Sequence, residues 1–98
     1  VRIVAGDIGG TKTVLAIFDQ TAAGLRSIRE QAFPCADFPS LEAVLDAFLR
    51  ERDHEALVGA CFGVAGPVVD GVAKITNLPW VIDTAKLSAK LGGLPVRL

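Results

Sequence analysis

Apolar positions in this chain fall into runs separated by glycine, proline and short polar turns. Residues 2–6 read as a first strand. Thr13 to Asp19 is almost continuously apolar, the pattern of a second strand buried on both faces. Gln20 to Gly24 is a polar turn. Leu25, Ile28, Ala32 and Phe33 alternate imperfectly, which suits a third, more exposed strand. Connections this short imply an antiparallel meander. After a loop at Pro34 to Pro39, Ser40 is a good helix N-cap. Leu41, Val44, Leu45, Phe48 and Leu49 then recur at helical spacing and form one stripe. Glu42 in the first turn and Arg50 and Arg52 near the end suit the helix dipole.

Ala56 to Ala65 predicts a fourth strand, apolar on both faces. Because it follows a helix, it is expected parallel to the first strand by a βαβ-type crossover. Gly66-Pro67 ends that run. Asp70-Gly71, within Val68 to Ala73, signals a tight hairpin. Asn77-Leu78-Pro79-Trp80 reads as a loop, since Pro79 disfavours helix at Leu78. Asp83 or Thr84 caps a short helix through Leu91, ended by Gly92-Gly93. The last residues open a fifth strand with no turn or polar tail after it, so the chain is expected to continue beyond Leu98. The class is α/β: a mixed sheet with three antiparallel N-terminal strands, then helix-strand-helix-strand, and an incomplete fold.

Candidate chemistry sits between the first two strands, in Gly6-Asp7-Ile8-Gly9-Gly10-Thr11. Glycine accepts positive φ and brings no Cβ, so such a turn can aim backbone N–H groups at one spot. A concave backbone of that kind favours an anion, and Thr11 adds a hydroxyl. Asp7 would repel a bare phosphate, so its useful role is to hold a hydrated Mg²⁺ beside it. The combination reads as a nucleotide-phosphate loop. It is not a Walker loop, because Thr11 rather than glycine precedes Lys12 and a β-rich run follows. The dinucleotide fingerprint is excluded by the glycine spacing and the absence of a following helix. The plain alternative is a glycine-rich hairpin turn with no ligand.

Composition changes this picture little. The 98 residues amount to one domain or part of one. A hydrophobic fraction of 51% against 21% charged argues for a folded chain. A formal net charge of −1 gives no electrostatic case for nucleic acid or an anionic membrane. The apolar stretch Val58 to Val69 is too short and too interrupted to span a bilayer. The N-terminus lacks the pattern of a secretory signal. Cys35 and Cys61 fit no metal-ligand spacing. Cys61, in an apolar run, is expected as a buried thiol, and a reduced cytoplasmic setting is favoured over a disulfide.

The order of elements resembles the ribonuclease-H-like ATPase domain shared by sugar kinases, actin and heat-shock chaperone ATPases. Four segments narrow the resemblance to bacterial glucokinases. Gly6 to Thr11 is similar to their first phosphate motif. Phe38-Pro39-Ser40-Leu41-Glu42-Ala43-Val44 resembles the start of their first helix. Gly63-Val64-Ala65-Gly66-Pro67-Val68 resembles the strand end leading to the sugar cleft. Thr76-Asn77-Leu78-Pro79-Trp80, followed by Ile82, resembles their Thr-Asn…Trp segment. The resemblance implies an ATP- and Mg²⁺-dependent transfer of the γ-phosphoryl group to the 6-hydroxyl of glucose or a related hexose. It implies that Val96-Arg97-Leu98 leads into an Asn-Asp pair carrying the catalytic base, with further sugar ligands in a second, larger domain. Residues 1–98 are then the small N-terminal domain, inactive alone. A homodimer of the intact enzyme is left open.

The resemblance assigns Gly6, Asp7, Ile8, Gly9, Gly10 and Thr11 to phosphate binding, and Asp7 to the metal through water. Asn77 either borders the sugar pocket or is a turn residue satisfying its own backbone. Lys12 is tempting as a phosphate clamp, but a solvent-facing lysine at a hairpin end is the plainer reading. Trp80 reads as a packing anchor, Asp70 as a turn residue and His54 as a solvated surface residue. Two other functions share the fold: a sugar-responsive transcriptional regulator and a non-catalytic actin-like ATPase fragment. The Thr-Asn-Leu-Pro-Trp segment favours the kinase over the latter, and the absence of a helix-turn-helix before the first strand weighs against the former.

Overall fold

The computed structural model describes residues 1–50, 53 and 56–98. Arg52 and His54, to which the sequence assigns a helix-end and a surface role, lie outside the described residues. The main sheet has five strands in the order β3-β2-β1-β4-β8. Its members are β1 (Arg2–Ile8), β2 (Lys12–Thr21), β3 (Gly24–Pro34), β4 (Leu57–Val64) and β8 (Val96–Arg97). The meander is antiparallel, with Asp7 opposite Val14 and Ile8 opposite Thr13. β4 lies parallel to β1, with Gly6 beside Phe62 and Asp7 beside Gly63, and β8 lies parallel to β4. The antiparallel meander and the parallel pairing of β4 with β1 match the sequence reading.

Helix α1 (Leu41–Phe48) starts where Ser40 predicts, its hydroxyl accepting from the Ala43 amide. It is shorter than the stripe suggests, because Leu49 leaves helical geometry and caps the end. Arg50 therefore lies beyond the helix, and its amide donates to the Asp53 carboxylate at 2.8 Å. The C-terminal end of α1 is served instead by Arg29 of β3, which donates to the Phe48 carbonyl at 2.6 Å and also pairs with Asp53. Leu41, Val44, Leu45 and Phe48 bury the helical stripe against Val4, Ile8, Leu15, Ile17 and Phe62 of the sheet. Phe33 joins them, edge-on to both Phe38 and Phe48.

A second, three-stranded sheet follows: β5 (Val68–Val69), β6 (Val72–Lys74) and β7 (Val81–Asp83). The β5–β6 turn carries Asp70 at φ 52° and Gly71 at φ 75°, the left-handed pair that an Asp-Gly hairpin requires. β7 is a strand that the sequence reading does not contain. Three residues are too few to show alternation, and the last of them is the helix cap. Helix α2 (Thr84–Lys90) is capped by Asp83, which accepts from the amides of Ala85 and Lys86.

One face of the main sheet is covered by α1; the other is largely open. This corrects two expectations. β4 is apolar on both faces, yet alternates between buried Leu57, Ala60 and Phe62 and exposed Val58, Cys61 and Gly63. Cys61 is accordingly exposed, because it points to the face that nothing among the described residues covers, while Cys35 is the buried thiol. Both cysteines are free.

A candidate phosphate-binding edge

Three of the four segments singled out in the sequence meet at the carboxyl ends of parallel β1 and β4. In an α/β sheet, ligands bind in the crevice outside those ends. The Ala65 amide, just past β4, donates to the Ile8 carbonyl at the end of β1 at 3.1 Å. The Ala65 carbonyl in turn accepts from the amide and the hydroxyl of Thr76, at 3.5 and 3.4 Å. Thr76 then lies against the glycine turn: a Cβ on Gly10 would stand 3.0 Å from its carbonyl oxygen. The close approach of two backbones favours glycine at position 10.

The turn itself is tighter than Gly6 to Thr11. β1 runs to Ile8 and β2 starts at Lys12, leaving Gly9, Gly10 and Thr11 as the connection. Gly6 belongs to the strand. A Cβ there would sit 2.6 Å from Leu15 Cδ2 and 2.9 Å from Phe62 Cδ1, so its bareness serves the core. Ile8 is buried, and its carbonyl rather than its side chain reaches the edge. The positive-φ glycines among the described residues are Gly24, Gly71, Gly92 and Gly93. Gly9 and Gly10 thus owe their place to missing side chains, and the Gly9 amide is already given to the Lys12 carbonyl at 3.0 Å.

Asp7 is exposed on the open face of the sheet. Its neighbour across the parallel ladder is Gly63, where a Cβ would lie 4.0 Å from Asp7 Oδ1. The carboxylate therefore stands beside a bare stretch of backbone with free space above it. Among the described residues no group of three His, Cys, Asp or Glu is placed to hold a metal. A lone exposed carboxylate still fits Mg²⁺, which keeps several waters and takes one or two carboxylates together with substrate phosphates. Lys12 is exposed at the start of β2, as its solvent-facing reading requires.

Asn77 has φ 66° and sits in the turn closed by the Leu78 amide on the Ile75 carbonyl, with its side chain exposed. Asparagine tolerates this left-handed backbone, which accounts for its presence whatever else it contacts. Trp80 is 2% exposed and donates from Nε1 to the Phe38 carbonyl at 3.1 Å. It ties the Thr76–Trp80 segment to the loop ahead of α1, so the fourth segment is attached to the edge from beneath. Thr13 and Cys35, which the sequence reading passes over at this site, lie directly under the turn.

Solved sugar kinases share this fold. The glucokinase of an Antarctic psychrotroph superposes with a TM-score of 0.85 at 31% identity, over 98% of this chain and 31% of that one. A ROK-family glucokinase of Streptomyces griseus, solved with glucose and AMPPNP, shares the fold at a TM-score of 0.66 and 24% identity, over 98% of this chain and 32% of that one. The fold is thus that of the actin-like ATPase domain of sugar kinases. A model of the glucokinase family matches residues 4–98, and the chain belongs to that family. The glucokinase of Nostoc punctiforme is 42% identical over 91 residues, covering 92% of this chain. The chain spans about 27% of that relative's length.

Proposed function

We propose that this chain supplies the phosphate-binding edge of a kinase that transfers the γ-phosphoryl group of ATP to the 6-hydroxyl of glucose or a related hexose. The observation that carries the reading is the convergence of the Gly9–Thr11 turn, the end of β4 and the Thr76–Asn77 turn around one edge, with the Asp7 carboxylate exposed beside it. The turn would hold the nucleotide's phosphates and Asp7 the water shell of Mg²⁺, which when bound neutralises charge on the transferring group. The sugar oxygen bonds to phosphorus as the bond to ADP breaks, and the hydroxyl proton passes to a carboxylate base. That base is expected in the residues following Leu98, with most sugar ligands beyond it. Asn77, on an exposed turn against the same edge, would border the sugar.

Family membership does not favour the regulator or the actin-like alternative. On this reading the protein works in the cytoplasm, at the entry of glucose into glycolysis. The test is a coupled assay of the intact protein with Mg·ATP and a panel of hexoses. Glucose 6-phosphate formation supports the reading, and absence of turnover on every hexose overturns it. Residues 1–98 alone are expected to give no turnover, lacking a placed base and a second domain to close over the nucleotide. Turnover by the isolated chain at the rate of the intact protein would put the base within it.

A further inference from the structure

Thr13 is fully buried, the one buried polar or charged side chain among the described residues. Its hydroxyl lies 3.3 Å from the Cys35 sulfur, and that sulfur lies 3.4 Å from the Gly9 carbonyl oxygen. The donor count fixes the direction of both contacts. The Gly9 oxygen can only accept, so the single thiol hydrogen goes to it, and the threonine hydroxyl then donates to sulfur. The Cys35 amide also donates to the Thr11 carbonyl at 2.9 Å. One residue therefore holds two carbonyls of the turn, Gly9 and Thr11, from below.

A trans peptide unit is planar, with its C=O and the next N–H pointing in opposite directions, and no cis peptide occurs among the described residues. Drawing the Gly9 carbonyl toward Cys35 thus turns the Gly10 amide away from it. We infer that Thr13 and Cys35 are positioning residues for the phosphate site: the relay from Thr13 hydroxyl to Cys35 thiol to Gly9 carbonyl sets the aim of the Gly10 amide, which would face the nucleotide. The inference rests on the phosphate-loop reading above.

The experiment uses the intact kinase carrying Thr13→Val, Cys35→Ala, both together, Thr13→Ser, and separately Gly10→Ala. Thr13→Val keeps shape and removes the donor. It and Cys35→Ala are expected to raise KM for Mg·ATP about 3- to 10-fold, the effect of one neutral hydrogen bond, with KM for glucose unchanged. The double variant should be no worse than the worse single one, as members of one relay are not additive. Thr13→Ser, which restores the hydroxyl without the methyl, should recover parental ATP kinetics. Unchanged ATP kinetics in Thr13→Val, or equal shifts in both KM values, overturns the assignment. Gly10→Ala pushes the turn directly onto Thr76. If it impairs ATP use while Thr13→Val does not, the relay alone fails; if it too leaves ATP use unchanged, the phosphate-loop reading fails. Should Cys35→Ala not fold, the comparison of Thr13→Val with Thr13→Ser decides.

Discussion

The guanidinium of Arg29 lies over the ring of Phe48, its carbon 4.2 Å from the ring centroid, while the same group donates to the Phe48 carbonyl. One side chain from β3 thus stacks on the last residue of α1, satisfies an orphan carbonyl at that helix's negative end, and pairs with Asp53. A lysine has the charge but neither the plane nor the fork. Arg29→Lys is expected to destabilise the fold by about 1–2 kcal/mol, from the lost stacking and one charge-assisted bond. Urea denaturation reads this; an unchanged midpoint would show that Arg29 is a surface ornament to the helix.

Truncation of the α1 stripe should cost more. Leu45 and Phe48 are each 1% exposed and pack into the core shared with the sheet. Leu45→Ala and Phe48→Ala are each expected to lose about 2–5 kcal/mol. Chemical denaturation of the intact protein checks it, and a loss below that range would mean that the core closes over the gap.

At Gly6 packing and function are separable. Gly6→Val drives methyl groups onto Leu15 and Phe62, with an expected destabilisation of about 1–3 kcal/mol or more. In the fraction that folds, KM for Mg·ATP should stay near the parental value. A selective loss of ATP affinity with normal stability would return Gly6 to the phosphate site.

Asp7→Ala removes the exposed carboxylate beside the turn. Steady-state kinetics at varied Mg·ATP should show a kcat reduced on the order of 10²-fold, the scale of one lost electrostatic contact to the transferring group. KM for glucose should change much less. Normal turnover at saturating Mg·ATP would remove Asp7 from the metal site.

Local signals carried most of the fold. Ser40, Asp83 and Asp70-Gly71 act on their own neighbours, and the structure places a cap or a turn at each. What was illegible depends on partners far along the chain. Gly6 looks like a loop glycine until Leu15 and Phe62 are seen against it. Cys61 looks buried because β4 is apolar on both faces, and only the strand order shows which face lacks a cover. Thr13 and Cys35 stand 22 residues apart, so no spacing rule joins them. The candidate site was read one segment at a time; its meeting at one edge comes from the parallel pairing of β1 and β4 and the contact of Gly10 with Thr76.

The strand order β3-β2-β1-β4-β8 has a consequence for how the molecule is made. β1, β2 and β3 are joined by tight turns, so the meander closes cheaply, whereas β4 must find β1 across everything from Gly9 to Ala56. A nascent chain that has emerged only as far as Cys35 already contains the glycine turn and the thiol beneath it. The expected folding order is therefore turn first, helix and β4 second, with the crevice completed last by the arrival of Thr76. Pulse-labelling hydrogen exchange would show it as protection of β2 amides ahead of those in β4; simultaneous protection of both would mean that the sheet condenses as one unit.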